Sequence, residues 1–274
     1  MESLFFNKQP EWYDDLCEYY DVTPEQALDL GTRKPNRKPN LPSSPTTHAV
    51  NNLTFEEIWA LKPRNSEEEI FQFYKDQGAW SAFRQVVRHK DLTSMHLEFL
   101  SKTLRKNSTF CEYGCGVAPF TYTLLQNVDK DEKLNILISD VESEHYTFGI
   151  WRLQKLIKDR CLSNVSLEHV TVLPNKLPNY SKKLDTVFIF EVLEHVPSPI
   201  ATINNLIDQM NTEGILCENF IKHEHDPNSL PGCDLDSASM ERVNYYQLLK
   251  EKFTLIAGND HVVEPNQTRV WVKR

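Results

Sequence analysis

Downstream of residue 107 the chain alternates short apolar runs with helix-length amphipathic stretches, and no other feature limits its fold as tightly. The runs are STFCEYG, LNILISD, VSLEHV, LDTVFIFEV, GILCENFI, FTLIAG and TRVWVKR. Each is brief, apolar and bounded by polar or turn-forming residues, the pattern of a strand rather than of a buried helix. Helix-length segments separate the first five, so they read as βαβ units building a parallel sheet. The last two runs lie closer together. Parallel neighbours need a crossover of about a dozen residues or more, so this pair fits antiparallel addition at one edge.

Upstream the texture differs. WYDDLCEYYDVTPEQALDLG reads as helical, with Thr23 and Gln26 spaced as a capping box and Pro24 at the first helical position. RKPNRKPNLPSSPTTH, residues 33–48, carries four prolines among Ser, Thr and Asn and reads as an extended linker. Helix starts recur at Thr54 with Glu57 and at Ser66 with Glu69. In FQFYKDQGAWSAFRQVV, Phe71, Tyr74, Trp80 and Phe83 fall near helical spacing around Gly78 and read as a packing face. The expected division is a helical and extended appendage over residues 1–60, followed by a main domain over residues 61–274.

A net charge of −9 provides no overall positive field for a polyanion and disfavours nucleic acid as the main partner. Cys17, Cys111, Cys115, Cys161, Cys217 and Cys233 form no CxxC pair or dense framework, which suits a reducing compartment without disulfides or structural zinc. MESLFFNKQPEW regains charge after a two-residue aromatic run, and no stretch approaches the ~18 apolar residues of a membrane span. A cytoplasmic protein without membrane association is expected; its oligomeric state is not readable.

FCEYGCGVAPFTYTLLQ places Glu112, Gly114 and Gly116 where a strand ends and an apolar-periodic helix begins. Glycine there permits unusual dihedrals and close backbone approach by a ligand. The GxGxxG spacing of dinucleotide turns fails, because Pro119 stands three residues after Gly116, and this disfavours an NAD-dependent oxidoreductase. The E-x-G-x-G-x-A that stands instead resembles the first motif of class I S-adenosylmethionine-dependent methyltransferases, with Ala118 replacing the frequent last glycine. LNILISD ends in Asp140 at the tip of the next strand, where a carboxylate accepts hydrogen bonds from both ribose hydroxyls. The competing role for Asp140 is to cap the helix that follows. KKLDTVFIFEVLEHVPSP resembles the fourth methyltransferase motif, with Asp185 leading a buried strand and Glu191 at its exit.

The resemblance covers residues 108–199 and the later strands, and assigns nothing to residues 1 to about 90. It implies an α/β fold: a seven-stranded, mostly parallel Rossmann-like sheet of order 3-2-1-4-5-7-6, last strand antiparallel, flanked by helices behind an N-terminal helical extension. It implies S-adenosyl-L-methionine as cofactor, held by Glu112, Gly114, Gly116, Asp140, Val141 and Glu191, with Trp80 and Arg84 closing from the preceding helix. Arg84 would pair with the methionine carboxylate, or else lie on a solvated face. Where many relatives carry an acid for the adenine amino group, TVLPNKLPNYSKK contains none.

Methyl transfer from a sulfonium is an in-line displacement in which the protein aligns, desolvates and, for a hydroxyl or amine acceptor, takes up a proton. Open α/β sheets bind ligands at the carboxyl ends of their strands. There the segment after the fifth strand concentrates Asn219, His223, His225 and Asp226. His223, His225 and Glu191 are the candidate catalytic groups; the alternative is a solvated loop with incidental histidines. On a helix beginning at the strand exit, Glu191, Glu194 and His195 would share one face and converge on a divalent metal. That ExxEH pattern resembles metal-dependent O-methyltransferases acting on small-RNA ribose ends and quinone precursors, while EVLEHV also occurs in methyltransferases that use no metal. Acidic charge and an aromatic-rich appendage favour a small-molecule acceptor, with residues 1–60 as a lid over it. The rival readings are other S-adenosylmethionine chemistry, such as aminocarboxypropyl transfer or cyclisation, and a non-catalytic binding module.

Overall fold

The apolar runs pair into one sheet, in a computed structural model that describes residues 11–32, 64–87, 104, 107–222, 234–259 and 267–274. The strands are β1 (Thr109–Tyr113), β2 (Leu134–Val141), β3 (Val165–Val172), β4 (Leu184–Phe190), β5 (Met210–Asn219), β6 (Phe253–Ala257) and β7 (Arg269–Lys273). Their order is β3-β2-β1-β4-β5-β7-β6. β1 runs parallel to β2 and β4, and β4 parallel to β5, while β7 runs antiparallel to both β5 and β6. The antiparallel strand is thus inserted between β5 and β6, leaving β6 outermost. Every position of the central β1 is buried, as expected of a strand enclosed in a parallel sheet.

The helices are α1 (Glu11–Tyr20), α2 (Pro24–Thr32), α3 (Glu67–Asp76), α4 (residues 79–87), α5 (Pro119–Asn127), α6 (Glu144–Asp159), α7 (Pro199–Gln209) and α8 (Asp236–Lys252). The capping box forms as the spacing predicts. Thr23 N–H donates to Gln26 Oε1 at 2.8 Å, and Gln26 N–H donates to Thr23 Oγ1 at 3.3 Å. At α3, Ser66 Oγ accepts from Glu69 N–H, but the Glu69 carboxylate reaches back to Asn65 N–H at 2.6 Å, one residue beyond the box. The linker at 33–48 and the Thr54–Glu57 helix start lie outside the described residues. The expected aromatic face is partly redrawn: Phe73 and Phe83 are buried, while Phe71, Tyr74 and Trp80 are half-buried. Gly78, at φ 64°, ends α3 and restarts the chain in α4, so one helical period does not run through it.

The chain divides into two compact units. The first comprises Met1–Lys102, Gly116–Val128 and Val141–Cys161. Its core gathers Leu16, Tyr20, Leu30, Ala82, Phe83, Val117 and Phe148. Phe148 is the aromatic hub, with ring centroids 5.3 Å from Tyr19, 5.7 Å from Tyr20 and 6.0 Å from Trp151. Lys155 Nζ bonds Asp15 at 2.8 Å and Glu18 at 2.9 Å, fastening α1 to α6. Replacing Phe148 by Ala strips this hub, and a loss of about 3–5 kcal/mol is expected in urea unfolding.

The second unit comprises Thr103–Cys115, Asp129–Asp140 and Leu162–Arg274. Asp185, expected only to lead β4, knots three strands at their amino ends. Its carboxylate accepts from Thr109 N–H at 2.8 Å and from Asn211 Nδ2 at 2.7 Å. On β5, Glu218 is fully buried and accepts from Tyr246 Oη at 3.1 Å and Trp271 Nε1 at 3.0 Å. Burial pushes its carboxyl up to about 7 despite those donors and the Arg269 and Arg242 guanidiniums. The folded state therefore holds a proton that the unfolded chain releases at its ordinary carboxylate value. This contribution to stability is full below that value and is lost as pH rises through about 7. Urea unfolding of wild type and Glu218→Gln between pH 5 and pH 8 is expected to show wild type losing stability relative to the variant as pH rises.

Cys17, Cys111, Cys115, Cys161 and Cys217 are free thiols. Among the described residues no helix is long and apolar enough to cross a membrane.

Candidate functional site

The residues expected to hold the cofactor divide between the two units. In the second unit, Glu112 and Asp140 stand near the carboxyl ends of the neighbouring strands β1 and β2, both largely buried. Gly114 and Cys115 N–H both donate to the Ser139 carbonyl, at 2.7 and 3.2 Å, so the exit of β1 is pinned one residue before Asp140. Beneath it Ser139 Oγ bonds the buried Tyr180 hydroxyl at 2.8 Å. Gly114 has φ 65°, and a Cβ there would lie 2.2 Å from Val192 Cγ2. Glycine is required twice over, for its dihedral and for its missing side chain. The helix-capping alternative for Asp140 is excluded, because Ser143 caps α6 and its side chain accepts from Tyr146 N–H.

At the exit of β4, Glu191 adopts φ 53°, a left-handed conformation that costs a non-glycine residue on the order of 1–2 kcal/mol. Its N–H donates to Asn219 Oδ1 at 2.7 Å, so the last residue of β5 holds the bend. No helix begins here. Leu193–His195 is a single 3-10 turn, and α7 starts only at Pro199. The expected shared face of Glu191, Glu194 and His195 is therefore not formed, because the left-handed bend and the tighter turn break the α-helical period. Glu194 is fully buried, and neither carboxylate oxygen has a hydrogen-bond partner among the described residues. Burial raises its carboxyl well above the usual range, with Glu191 and Asp234 adding to the rise. His195 Nε2 lies 3.8 Å from Glu194 Oε1. Among the described residues no three His, Cys, Asp or Glu side chains group to hold a metal.

In the first unit, Gly116 has φ 51° and meets Gln85, whose Oε1 would lie 2.1 Å from an added Cβ and accepts from Val117 N–H at 3.2 Å. Gly149 of α6 packs on the same turn, with 2.7 Å from its would-be Cβ to Gly116 O. Val141 is the first residue after Asp140 and is half-buried. Arg84 lays its guanidinium 5.4 Å from the Trp80 ring centroid, one helical turn away. His223, His225 and Asp226 lie outside the described residues.

The sequence reading missed Gln85, Ser81, His145, Val192 and Tyr180. Only the four-residue spacing of Ser81 and Gln85 was visible beforehand, as a shared helix face; their partners are distant in the chain. Gly114→Ala is expected to lower unfolding stability by about 1–3 kcal/mol. Combining it with Val192→Ala relieves the clash but not the dihedral, so the double variant recovers part of the loss in the same measurement.

A family model described as a methyltransferase domain matches residues 87–248, more than half of the chain. No curated protein sequence matches. Among solved structures, a magnesium protoporphyrin IX methyltransferase from Synechocystis with bound SAH is similar at TM-score 0.47 and 15% identity, covering 69% of this chain and 85% of that one. An N-methyltransferase from Bradyrhizobium japonicum has TM-score 0.44 and 16% identity, covering 69% and 96% respectively. A SAM-dependent methyltransferase from Aquifex aeolicus has TM-score 0.44 and 17% identity, covering 68% and 95%. With its E-x-G-x-G-x-A turn, its 3-2-1-4-5-7-6 sheet and the domain match, the chain belongs to the class I S-adenosylmethionine-dependent methyltransferases.

Proposed function

We propose that this protein transfers the methyl group of S-adenosylmethionine to a hydroxyl or amine of a small-molecule acceptor in the cytoplasm. The observation that carries the reading is the pair of carboxylates, Glu112 and Asp140, near the ends of adjacent strands at the Gly114 turn. Ionised carboxylates only accept hydrogen bonds, so the pair suits a ligand bringing ribose hydroxyls and an ammonium group. S-adenosylmethionine brings both. Asp140 takes the ribose hydroxyls, and Ser143 supports this by filling the helix-cap role. Gly114 admits the ligand to backbone, and Glu191 borders its methionine end.

When bound, the cofactor supplies a methyl group on a positively charged sulfur. The chain's part is to align the acceptor with that methyl, exclude water and receive the acceptor's proton. We assign proton uptake to His223, His225 or Glu191, and assign residues 1–60 as a lid on a catalytic domain spanning 61–274. The acidic net charge of −9 supports a small acceptor over a nucleic acid.

Calorimetric titration with S-adenosylhomocysteine tests the reading. Wild type is expected to bind, and Asp140→Ala to weaken binding about ten- to a hundredfold, the scale of losing hydrogen bonds to a charged group. Absence of binding by wild type would sink it. Incubation with methyl-labelled and, separately, carboxyl-labelled cofactor then distinguishes methyl transfer from aminocarboxypropyl transfer by the label found in product.

A further inference from the structure

Ser81 and Gln85 are four residues apart on α4 and share one helix face. Each is hydrogen-bonded into a different turn. Gln85 Oε1 accepts from Val117 N–H at 3.2 Å, just after Gly116. Ser81 Oγ lies 2.9 Å from His145 Nδ1, and His145 Nε2 lies 3.1 Å from Ser143 Oγ. Ser143 ends the turn that Asp140 enters, and its Oγ also lies 3.3 Å from Val141 O.

Ser81 Oγ donates to Gly78 O at 2.8 Å, so its lone pair faces His145 and accepts from Nδ1–H. Ser143 Oγ donates to Val141 O at 3.3 Å and accepts from Tyr146 N–H at 3.4 Å, and the role of Nε2 toward it follows the His145 tautomer. His145 is 3% exposed, and burial pushes it down to about 4. Gly116 and Gly149 leave no slack in the same cluster: a Cβ on either would enter Gln85 Oε1 or the Gly116 carbonyl.

We propose that Ser81 and Gln85 form a two-point clamp by which α4 sets the spacing between the Gly116–Val117 turn and the Val141–Ser143 turn, making Gln85, Ser81 and His145 positioning residues for cofactor binding. This rests on the cofactor assignment above. A ligand contacting both turns gains full affinity only when they are held at one separation, and displacements of about 1 Å are enough to weaken such a site. The two turns follow different strands of the sheet. α4 lies earlier in the chain and links them through side chains alone.

The test uses the full chain with Gln85→Met, which keeps length and loses the acceptor, Ser81→Ala, which loses the hydroxyl, and Ser81→Thr, which retains it. S-adenosylhomocysteine affinity is measured by calorimetry, Val117 amide exchange by NMR on ligand-free protein, and the unfolding midpoint by calorimetry. The clamp predicts about a tenfold rise in Kd for Gln85→Met and Ser81→Ala, Ser81→Thr closer to wild type than Ser81→Ala, and Val117 exchange at least about tenfold faster in Gln85→Met. If wild type binds and both loss variants keep Kd within about twofold of it, even with a lowered midpoint, the residues are structural only and the clamp is overturned. If wild type fails to bind, the cofactor assignment falls instead; unchanged Val117 exchange in Gln85→Met then overturns the clamp independently.

Discussion

Two amides on one carbonyl govern the geometry of the sheet's working edge. Gly114 and Cys115 both donate to Ser139 O, so the chain leaving β1 cannot move independently of the end of β2. The parallel register places Tyr113 opposite Ser139 and Ile189, which brings Glu112, Asp140 and the β4 exit to the same end of three neighbouring strands. Only a residue tolerating φ 65° with no side chain fits between that carbonyl and Val192, and this explains glycine at 114. Asp185 performs the complementary task at the opposite end by tying β1, β4 and β5.

Several buried polar groups lie near the carboxyl ends of β4 and β5. Glu191 holds a strained backbone under the grip of Asn219, Glu194 buries its carboxyl beside His195, and Glu218 shares a buried network with Tyr246 and Trp271. Arg242 of α8 donates to the carbonyls of Phe220 and Ile221, the residues that follow β5. Buried charges and strained dihedrals persist only where surrounding structure over-determines them, and they gather at sites that do chemistry. Their position is consistent with a methyltransferase site at the carboxyl ends of the strands.

The strands were readable because each is a local apolar run with local boundaries, and the Thr23–Gln26 box because capping is a three-residue affair. The glycine turn and Asp140 were readable for a similar reason: both sit at strand ends, where position and residue type coincide. The proposed metal face failed because it assumed an α-helix at the β4 exit, whereas Glu191 turns left-handed and the chain makes a 3-10 turn first. The aromatic face around Gly78 slipped for a related reason. Periodicity cannot see a positive φ that resets the helix between Phe73 and Phe83.

By itself the sequence determined the strand set, the βαβ rhythm, the glycine turn and the acid at the end of β2. These depend on hydrophobic period, strand propensity and steric permission within a few residues. Tertiary structure alone decided that Asp185 ties β1 to β5, that Glu218 meets Tyr246 and Trp271 in the interior, and that Ser81 and Gln85 reach two separate turns. Each of those outcomes joins residues far apart in the chain, and their energies come from burial and hydrogen bonding that exist only once the distant partner has arrived.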